Sequence, residues 1–366
     1  MRPFTTTIAA SMAALAILLG PTVPAIAAQP TSQGASTLST EAASRFGTAH
    51  APAVAAAAVA TGATYYVDCS AAPTGTGSAS SPWNGVAPVN ATTFAAGDRI
   101  LFKKGTTCNG ALTPKGSGAA GAPIVIDSYG TASAAPHIAG RGVPATIQLT
   151  NQEYWEIRNL EVTNLDPDVA TRFTQPRRGV VIAVKDFGQA DYFRIIGLNI
   201  HDVYGQNKKD LGGSGGIQLE VDASDVAAER VKSWFNDVVI ADNRVVDVNR
   251  SGINMSSRWY CRFSTECYPG GLEWVGSTGL LISGNHVERT GGDGIVVQMN
   301  KDALVEYNTV LESANRFGNG SNAGLWAWNS DSTVFQYNEV ARTKKLSDNN
   351  DGMAFDADFG TWGTVY

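Results

Sequence analysis

The feature that most constrains this chain is an internal repeat in which two short strand patterns alternate six times in a fixed order. Apolar side chains recur at the third position of the first pattern, in Ile157, Ile195, Ile240, Ile282, Val305 and Phe335. A second apolar column follows at its eighth position, in Val162, Ile200, Val245, Val287, Val310 and Val340. Because each unit repeats the last, the pattern predicts a solenoid of stacked coils.

The second pattern begins at a glycine and follows each copy of the first. These glycines are Gly179, Gly216, Gly252, Gly294, Gly324 and Gly352. Their irregular spacing is typical of coils that carry loops of different lengths. Every second side chain of a strand points inward. The predicted inward residues are Ile217, Ile253, Ile295, Leu325 and Met353, followed by Leu219, Met255, Val297, Ala327 and Phe355.

Four asparagines share the sixth position of the first pattern, namely Asn243, Asn285, Asn308 and Asn338. In coils stacked about 4.8 Å apart, each amide would lie against the amide of the next coil. Such a ladder satisfies polar groups that would otherwise be buried without partners. The repeats therefore predict an all-β solenoid of parallel sheets in which these asparagines are structural.

Composition and charge exclude several classes of partner. The chain has 366 residues, of which 43% are hydrophobic and 16% are charged, so it can bury a large core. Its formal net charge of -6 provides no cationic surface for nucleic acid or for anionic lipid. We therefore expect no nucleic-acid partner and no membrane insertion.

The beginning of the chain predicts export. Arg2 precedes a short apolar run at residues 8–19, and an Ala-Ile-Ala cleavage site follows at residues 25–27. Residues 1–27 are interpreted as a signal peptide, and the Ala-, Ser- and Thr-rich residues 28–64 as a disordered leader. Because the apolar run is too short to span a bilayer, we expect a secreted, extracellular protein.

The four cysteines are expected to form disulfides in an oxidising compartment. Cys261 and Cys267 close a small loop, which leaves Cys69 to pair with Cys108. A zinc site is disfavoured because no Cys-x-x-Cys motif occurs and no histidine lies near these cysteines in the sequence.

The paired patterns and the asparagine ladder resemble the right-handed parallel β-helix, or pectin-lyase-like, superfamily. The segments similar to the N-terminal cap and first coil of its secreted members are residues 65–68, 82–83, 96–102, 121–124 and 129–130. The resemblance implies a cap and first coil over residues 65–140 and β-helix coils over residues 141–366. Residues 364–366 look like the start of another first pattern, so we expect a truncated last coil.

This superfamily includes lyases, glycoside hydrolases, epimerases and phage-type binding proteins. The resemblance is therefore specific for the fold and only suggestive for the activity.

The outward side chains of the Gly-initiated strands are polar and aromatic. The predicted substrate-binding residues on this face are Glu220, Asp222, Gln298, Trp326 and Trp328. Long insertions flank the strands, at residues 166–178, 202–215, 312–323 and 341–351 on one side and 223–237 and 259–278 on the other. We expect a groove between these loops, since functional residues concentrate on loops over a rigid scaffold. The tryptophans would stack on sugar rings or, alternatively, pack beneath residues 312–323.

Hydrolysis of a glycosidic bond needs two carboxyl groups about 5 to 9.5 Å apart. Asp356 and Asp358 are candidates on the outward face, and Asp293 and Asp351 each stand immediately before a template glycine. Two rungs separate the second pair, which places them roughly 9.6 Å apart. The alternative for Asp293 and Asp351 is an ordinary turn, in which Asp before Gly is common.

Elimination by a lyase is the competing chemistry. It would need a Lys or Arg base and a cation such as Ca²⁺ to offset the substrate carboxylate. Lys185 and Arg258 are the candidate bases, with Glu220 and Asp222 as calcium ligands. The alternative is that these charges form ion pairs between neighbouring rungs.

The sequence thus predicts a secreted, monomeric enzyme that degrades an extracellular polysaccharide or oligosaccharide bound along the outward face. Hydrolysis and elimination are both open, and Ca²⁺ is expected only for a lyase. A non-catalytic glycan-binding or surface module is the alternative from a different functional class.

Overall fold

The computed structural model describes residues 62–208, 213–263, 267, 270–316, 322–347 and 351–366. The predicted signal peptide (1–27) and all of the predicted leader up to residue 61 lie outside these ranges. The described residues form twenty-five strands, one α-helix (α1, Val86–Ala91) and a 3₁₀ helix (Ala227–Glu229). None of the helices in these ranges has the length and apolar character needed to cross a bilayer.

The strands form three sheets. Sheet 1 contains β1 (Thr64–Val67), β2 (Arg99–Lys103), β4 (Ile124–Tyr129), β7 (Trp155–Arg158), β10 (Gln189–Ile196), β13 (Trp234–Ala241), β16 (Ser277–Ser283), β19 (Asn300–Lys301), β20 (Leu304–Glu306) and β23 (Val334–Gln336). Sheet 2 contains β3 (Thr107–Asn109), β5 (His137–Ala139), β8 (Glu161–Asn164), β11 (Asn199–Val203), β14 (Arg244–Val248), β17 (His286–Thr290), β21 (Thr309–Leu311) and β24 (Glu339–Ala341). Sheet 3 contains β6 (Ala145–Thr150), β9 (Arg178–Lys185), β12 (Gly215–Asp222), β15 (Ser251–Ser257), β18 (Ile295–Gln298), β22 (Ala323–Trp328) and β25 (Met353–Ala357).

Each full coil passes from sheet 1 to sheet 2 and then to sheet 3, and equivalent strands of successive coils pair in parallel. The predicted apolar columns are confirmed. Ile195 lies between Ile157 and Ile240 in sheet 1, and Val287 lies between Val245 and Val310 in sheet 2. These side chains are buried, and each fully buried aliphatic residue stabilises the fold by roughly 1.5–3 kcal/mol.

The asparagine ladder is also confirmed. The side-chain Nδ2 of Asn243 donates to Oδ1 of Asn285 at 2.9 Å, and Asn285 donates in turn to Asn308 at 2.9 Å. Asn308 donates to Asn338 at 3.0 Å. The same carboxamide oxygens accept from backbone N–H groups of the preceding coil. The ladder therefore provides hydrogen-bond partners for the buried polar groups at the corner between sheets 1 and 2. The side chains of Asn243, Asn285 and Asn308 are 1% exposed there.

The beginning of the described chain caps the solenoid. Helix α1 buries Val86 and Val89, and the ring of Trp83 stacks on Tyr65 with centroids 5.1 Å apart. Cys69 pairs with Cys108, and Cys261 pairs with Cys267, as the sequence predicted. The division into a cap and first coil (65–140) and coils (141–366) stays a prediction.

The predicted register was wrong at one strand. We expected Met353 beside Leu325, but Leu325 pairs with Phe355. A shift of two residues keeps the same side chains inward, because side chains alternate with a period of two. Met353 is 40% and Phe355 38% exposed, since β25 pairs on one side only among the described strands.

The segment after β25 continues the winding. Val365 forms a parallel bridge with Val334, and the ring of Tyr366 stacks on Phe335 with centroids 4.7 Å apart. The predicted similarity of residues 364–366 to the start of another first pattern is therefore confirmed.

Candidate functional site

The outward side chains of sheet 3 form one continuous surface, which we call the outer strip. It consists of Gln218, Glu220, Asn254, Gln298, Trp326, Trp328 and Asp356. The strand register brings them together across coils: Gln218 pairs with Asn254, Gln298 pairs with Trp328, and Trp326 pairs with Asp356. Residues far apart in the sequence are thus neighbours along one face, as the repeat predicted.

Three amides of the outer strip are joined by hydrogen bonds. Nδ2 of Asn254 donates to Oε1 of Gln218 at 3.0 Å, and Nε2 of Gln298 donates to Oδ1 of Asn254 at 3.1 Å. Nε2 of Gln218 donates to the backbone oxygen of Ser214 at 3.3 Å. These hydrogen bonds fix the orientation of each amide, so the polar groups of the outer strip are preorganised.

The two tryptophans of the outer strip have different surroundings. Trp326 is buried, and its Nε1 donates to Oδ1 of Asp293 at 3.1 Å. Trp328 is half-buried in an aromatic cluster, with ring centroids 5.8 Å from Tyr260 and 6.1 Å from Phe359. Trp326 is therefore mainly a packing residue, whereas Trp328 presents part of its ring to solvent.

Asp293 is an anchor beneath the outer strip. Its Oδ1 accepts from the backbone N–H of Ala323 at 3.0 Å as well as from Trp326, and its Oδ2 accepts from the guanidinium of Arg250. Asp293 is 1% and Arg250 5% exposed, and Arg250 also donates to Asn322. Both carboxylate oxygens are engaged by the protein, so Asp293 is better placed to position Trp326 than to act on a substrate.

The other three aspartates that the sequence suggested as catalytic lie in β25 or close to it in the sequence. Asp356 projects from β25 beside Trp326 and is partly buried. Asp358 follows the strand, its backbone N–H donates to the oxygen of Ala327 at 3.0 Å, and it is exposed. Asp351 precedes Gly352 and is partly buried. Asp358 opens a turn, in which its Oδ1 accepts from the backbone N–H of Phe359 at 2.6 Å and its backbone oxygen accepts from Thr361 at 3.2 Å.

Glu220 lies on the outer strip between two small neighbours. Ala183 pairs with it on one side and Ser256 on the other. Its Oε1 lies 3.5 Å from Nε of Arg178. Burial raises the pKa of the Glu220 carboxyl; Arg178 lowers it by a smaller amount, and Asp222 raises it further. The result is a carboxyl group that holds its proton to higher pH than an exposed glutamate.

The candidate lyase residues form ion pairs between rungs. Asp222 lies 3.6 Å from Nζ of Lys185 and 3.5 Å from Nη1 of Arg258. Arg258 also donates to Asp225 at 2.9 Å, and this hydrogen bond raises the pKa of the Arg258 guanidinium. A raised pKa opposes the loss of a proton that a catalytic base requires. The cross-rung alternative raised from the sequence is the arrangement observed.

The calcium ligands proposed from the sequence do not fit a metal site. Glu220 faces Arg178 and Asp222 faces two cations, whereas Ca²⁺ requires six to eight oxygen ligands around it. Among the residues described by the structure, no group of three or more His, Cys, Asp or Glu side chains is arranged to hold a metal ion.

Sequence reasoning missed two contacts that support the outer strip, those between Arg250 and Asp293 and between Arg178 and Glu220. Arg250 and Asp293 are 43 positions apart, and Arg178 and Glu220 belong to adjacent coils. The local sequence around these residues carries no signal for either contact. Only the register between coils, once known, would have pointed to them.

The comparisons with known proteins agree with this architecture. A family model described as "Right handed beta helix region" matches residues 181–354. Lacto-N-biosidase of Bifidobacterium longum subsp. longum is 28% identical over 382 residues, which cover 83% of this chain and 24% of that protein. The chain thus spans about a quarter of the length of this relative.

Crystal structures of GH136 lacto-N-biosidase from Eubacterium ramulus are also similar. The selenomethionine and native forms each give a TM-score of 0.69 at 22% identity, over 83% of this chain. The match covers 56% and 55% of their chains, respectively. At this identity the likeness shows the fold, and together with the family model matched over residues 181–354 it shows that the chain has a right-handed parallel β-helix fold.

Proposed function

We propose that this chain is the β-helix of a secreted glycoside hydrolase that acts on an extracellular oligosaccharide or polysaccharide held along the outer strip. The observation that carries the proposal is the placement of Asp356 beside Trp326 in the register of β22 and β25. It puts a carboxyl group next to an aromatic side chain, with a second carboxyl group, Asp358, two residues further along.

The spacing of these two carboxyl groups suits hydrolysis. Asp358 directly follows β25, and two residues of chain reach at most roughly 7 Å, which bounds the separation of the Cα atoms of Asp356 and Asp358. Retaining glycosidases hold their two carboxyl groups about 5–5.5 Å apart and inverting enzymes about 6.5–9.5 Å apart. In either case one carboxylic acid protonates the leaving oxygen, and the other carboxylate attacks the sugar or activates water.

The rest of the outer strip supplies binding groups. Trp328 offers an aromatic surface on which the apolar face of a sugar can stack. The amides of Asn254 and Gln298 are already oriented by their mutual hydrogen bond, which reduces the entropy lost when they bind sugar hydroxyls. Asp351, at the start of β25, is kept as a third candidate carboxyl group.

The relatives support the same reaction class. Lacto-N-biosidase, by its name, is a glycosidase, and its match covers 83% of this chain. The paired state of Arg258 and Asp222 argues for hydrolysis over elimination. The chain corresponds to only part of these enzymes, and we propose glycoside hydrolysis as the activity of this chain.

A glycan panel tests the proposal. Purified protein is incubated with neutral and acidic polysaccharides and with oligosaccharides that end in lacto-N-biose. New reducing ends without absorbance from an unsaturated uronate are expected. Reducing ends accompanied by that absorbance would identify a lyase, and binding without either signal would identify a non-catalytic module; both results would overturn the proposal.

A further inference from the structure

A pocket of about 460 Å³ opens at the corner between sheets 2 and 3. Its lining comes from loops of several coils and includes Phe173, Gln206, Asn207, Lys208, Asn249 and Arg316. This volume lies in the usual range for small-molecule sites. None of these residues belongs to the outer strip, so the pocket is a separate feature of the loops that precede the sheet 3 strands.

The polar wall of the pocket is held firmly by the protein. Oδ1 of Asn207 accepts from the backbone N–H of Arg250 at 2.7 Å. Nδ2 of Asn207 donates to the backbone oxygens of Gly291 and Arg316, each at 3.2 Å. Asn249 donates to the backbone oxygen of Gly205. The Asn207 side chain therefore ties its own loop to loops of the three following coils, and the wall is preorganised for a ligand.

The lining is cationic and partly aromatic. It includes two cations, Lys208 and Arg316, and no carboxylate is among the residues that line the pocket in the described chain. The guanidinium of Arg316 lies 4.7 Å from the centroid of the Tyr204 ring. Phe173 is 54% exposed and lies 6.2 Å from the same ring. An exposed aromatic ring and two cationic side chains in one pocket match a sugar that carries a negative charge.

Two aspartates near Tyr204, Asp202 and Asp247, each contact another side chain. Asp202 contacts Nδ1 of His201 at 2.8 Å. Asp247 accepts from Nε and Nη2 of Arg289 at 2.9 and 2.6 Å. Neither aspartate lines the pocket, and among the described lining residues the charged side chains are those of Lys208 and Arg316.

The pocket is connected to the outer strip through Ser214. Oγ of Ser214 donates to the backbone oxygen of Gln206 at 2.8 Å, and the backbone oxygen of Ser214 accepts from Gln218 at 3.3 Å. Gln206 lines the pocket, whereas Gln218 begins the outer strip. Ser214 thus links the wall of the pocket to the first residue of the outer strip.

We infer that this pocket binds a sugar unit that carries an anionic substituent, either a carboxylate or a sulfate ester. The inference rests on the proposed function in one respect, since it assigns the pocket to the same glycan. It extends that function by naming a charged sugar at a site outside the catalytic strip.

The test measures binding of monosaccharides to the full chain by titration calorimetry and ligand-observed NMR. The probes are glucuronic acid and N-acetylneuraminic acid for the carboxylate, galactose 6-sulfate for the sulfate ester, and galactose and inorganic sulfate as controls. At least one acidic sugar is expected to bind more tightly than both controls. Its affinity should fall as NaCl is raised, because added salt screens the interaction.

Lys208→Ala is the decisive variant, and Lys115→Ala, which removes an equal charge from an exposed position in the cap, is its matched control. Loss of a charge-assisted hydrogen bond should weaken binding of the acidic sugar about tenfold in Lys208→Ala and leave it unchanged in Lys115→Ala. Equal affinity of the two variants, or binding of inorganic sulfate as tight as that of the sugar, would overturn the inference.

The glycan panel separates this inference from the proposed function. Cleavage of glycans without binding of any acidic sugar would remove the inference and leave the hydrolase. Binding that depends on Lys208, without cleavage of any glycan, would remove the hydrolase and leave the pocket as an anionic-sugar site.

Discussion

Trp326 lies directly beside Asp356 in the register of β22 and β25. The indole of Trp326 is fixed from below, since its Nε1 donates to Asp293 at 3.1 Å and Asp293 is paired with Arg250. The surroundings of the Asp356 carboxyl group are thus set by Trp326, Asp293 and Arg250, which belong to the three preceding coils. Asp293 therefore supports the site from beneath, whereas Asp356 lies on the outward side of sheet 3.

We expect Asp356→Asn and Asp358→Asn each to lower turnover by about 10²-fold or more, because general acid–base groups contribute roughly 10²- to 10⁴-fold. Steady-state kinetics on the glycan identified by the panel provides the measurement, with thermal unfolding to confirm the fold. Asp302→Asn, at an exposed turn, is the matched control and should retain full activity. Near-normal turnover of both variants would remove the pair from the mechanism.

Asp293→Asn should act on stability more than on chemistry. The substitution removes the negative partner of the buried Arg250, and breaking a buried ion pair costs about 3–5 kcal/mol. Denaturant unfolding of the variant is compared with that of Asp302→Asn, which should change stability little. If Asp293→Asn kept its stability and lost turnover, Asp293 would return to the catalytic candidates.

Glu220→Gln is expected to alter how stability depends on pH. The pKa of Glu220 is raised in the folded protein, mainly by burial, so the folded state holds this proton more tightly than the unfolded chain. The stability contributed by the protonated group is present below the unfolded pKa, near 4.3, and is lost as pH rises through the folded pKa.

The neutral amide has no proton to lose, so Glu220→Gln should be more stable than the parent at pH 7, and this advantage should shrink at pH 4. Denaturant unfolding at the two pH values provides the measurement. Glu339→Gln, at an exposed position in sheet 2, serves as the control. An advantage that is absent at pH 7, or larger at pH 4, would contradict the effect of burial.

Trp328→Ala should weaken substrate binding with little effect on stability. Trp328 is only half-buried, and stacking between aromatic rings and a ligand is worth about 0.5–1.5 kcal/mol beyond the buried area. We expect a several-fold rise in KM with kcat largely retained. Tyr307→Ala, which removes an aromatic ring that is 57% exposed outside sheet 3, should leave KM unchanged. A KM that responds equally to both changes would argue against stacking on Trp328.

Asn285→Ala should be strongly destabilising. Asn285 is 1% exposed, donates to the oxygen of Ile240 at 2.9 Å and accepts from the side chain of Asn243. Each buried polar group left without a partner costs about 1–3 kcal/mol. Thermal unfolding should therefore show a clear loss, whereas Asn199→Ala, outside the ladder, should have little effect. Equal stability of the two variants would mean that water replaces the ladder.

At β25 the strand register predicted from the repeat differs from the observed register by two residues. Aligning Gly324 with Gly352 placed Asp356 opposite Trp328, but the strands place it opposite Trp326. Both registers keep Phe355 on the inward side and Asp356 on the outward side, because side chains alternate with a period of two. The repeat therefore predicts correctly that Asp356 lies on the outward face of sheet 3, but it predicts the wrong neighbour for it on β22.

The sequence by itself determined the coil, its apolar columns, the asparagine ladder and the face that carries the polar side chains. These follow from short-range periodicity, which is visible in one chain because each coil repeats the same packing problem. Only the tertiary structure decided that Asp293 is buried against Arg250 while Asp356 lies beside Trp326 and is partly exposed, and that Lys208 and Arg316 share a pocket. Those differences depend on burial and on contacts between loops of different coils, which local periodicity does not encode.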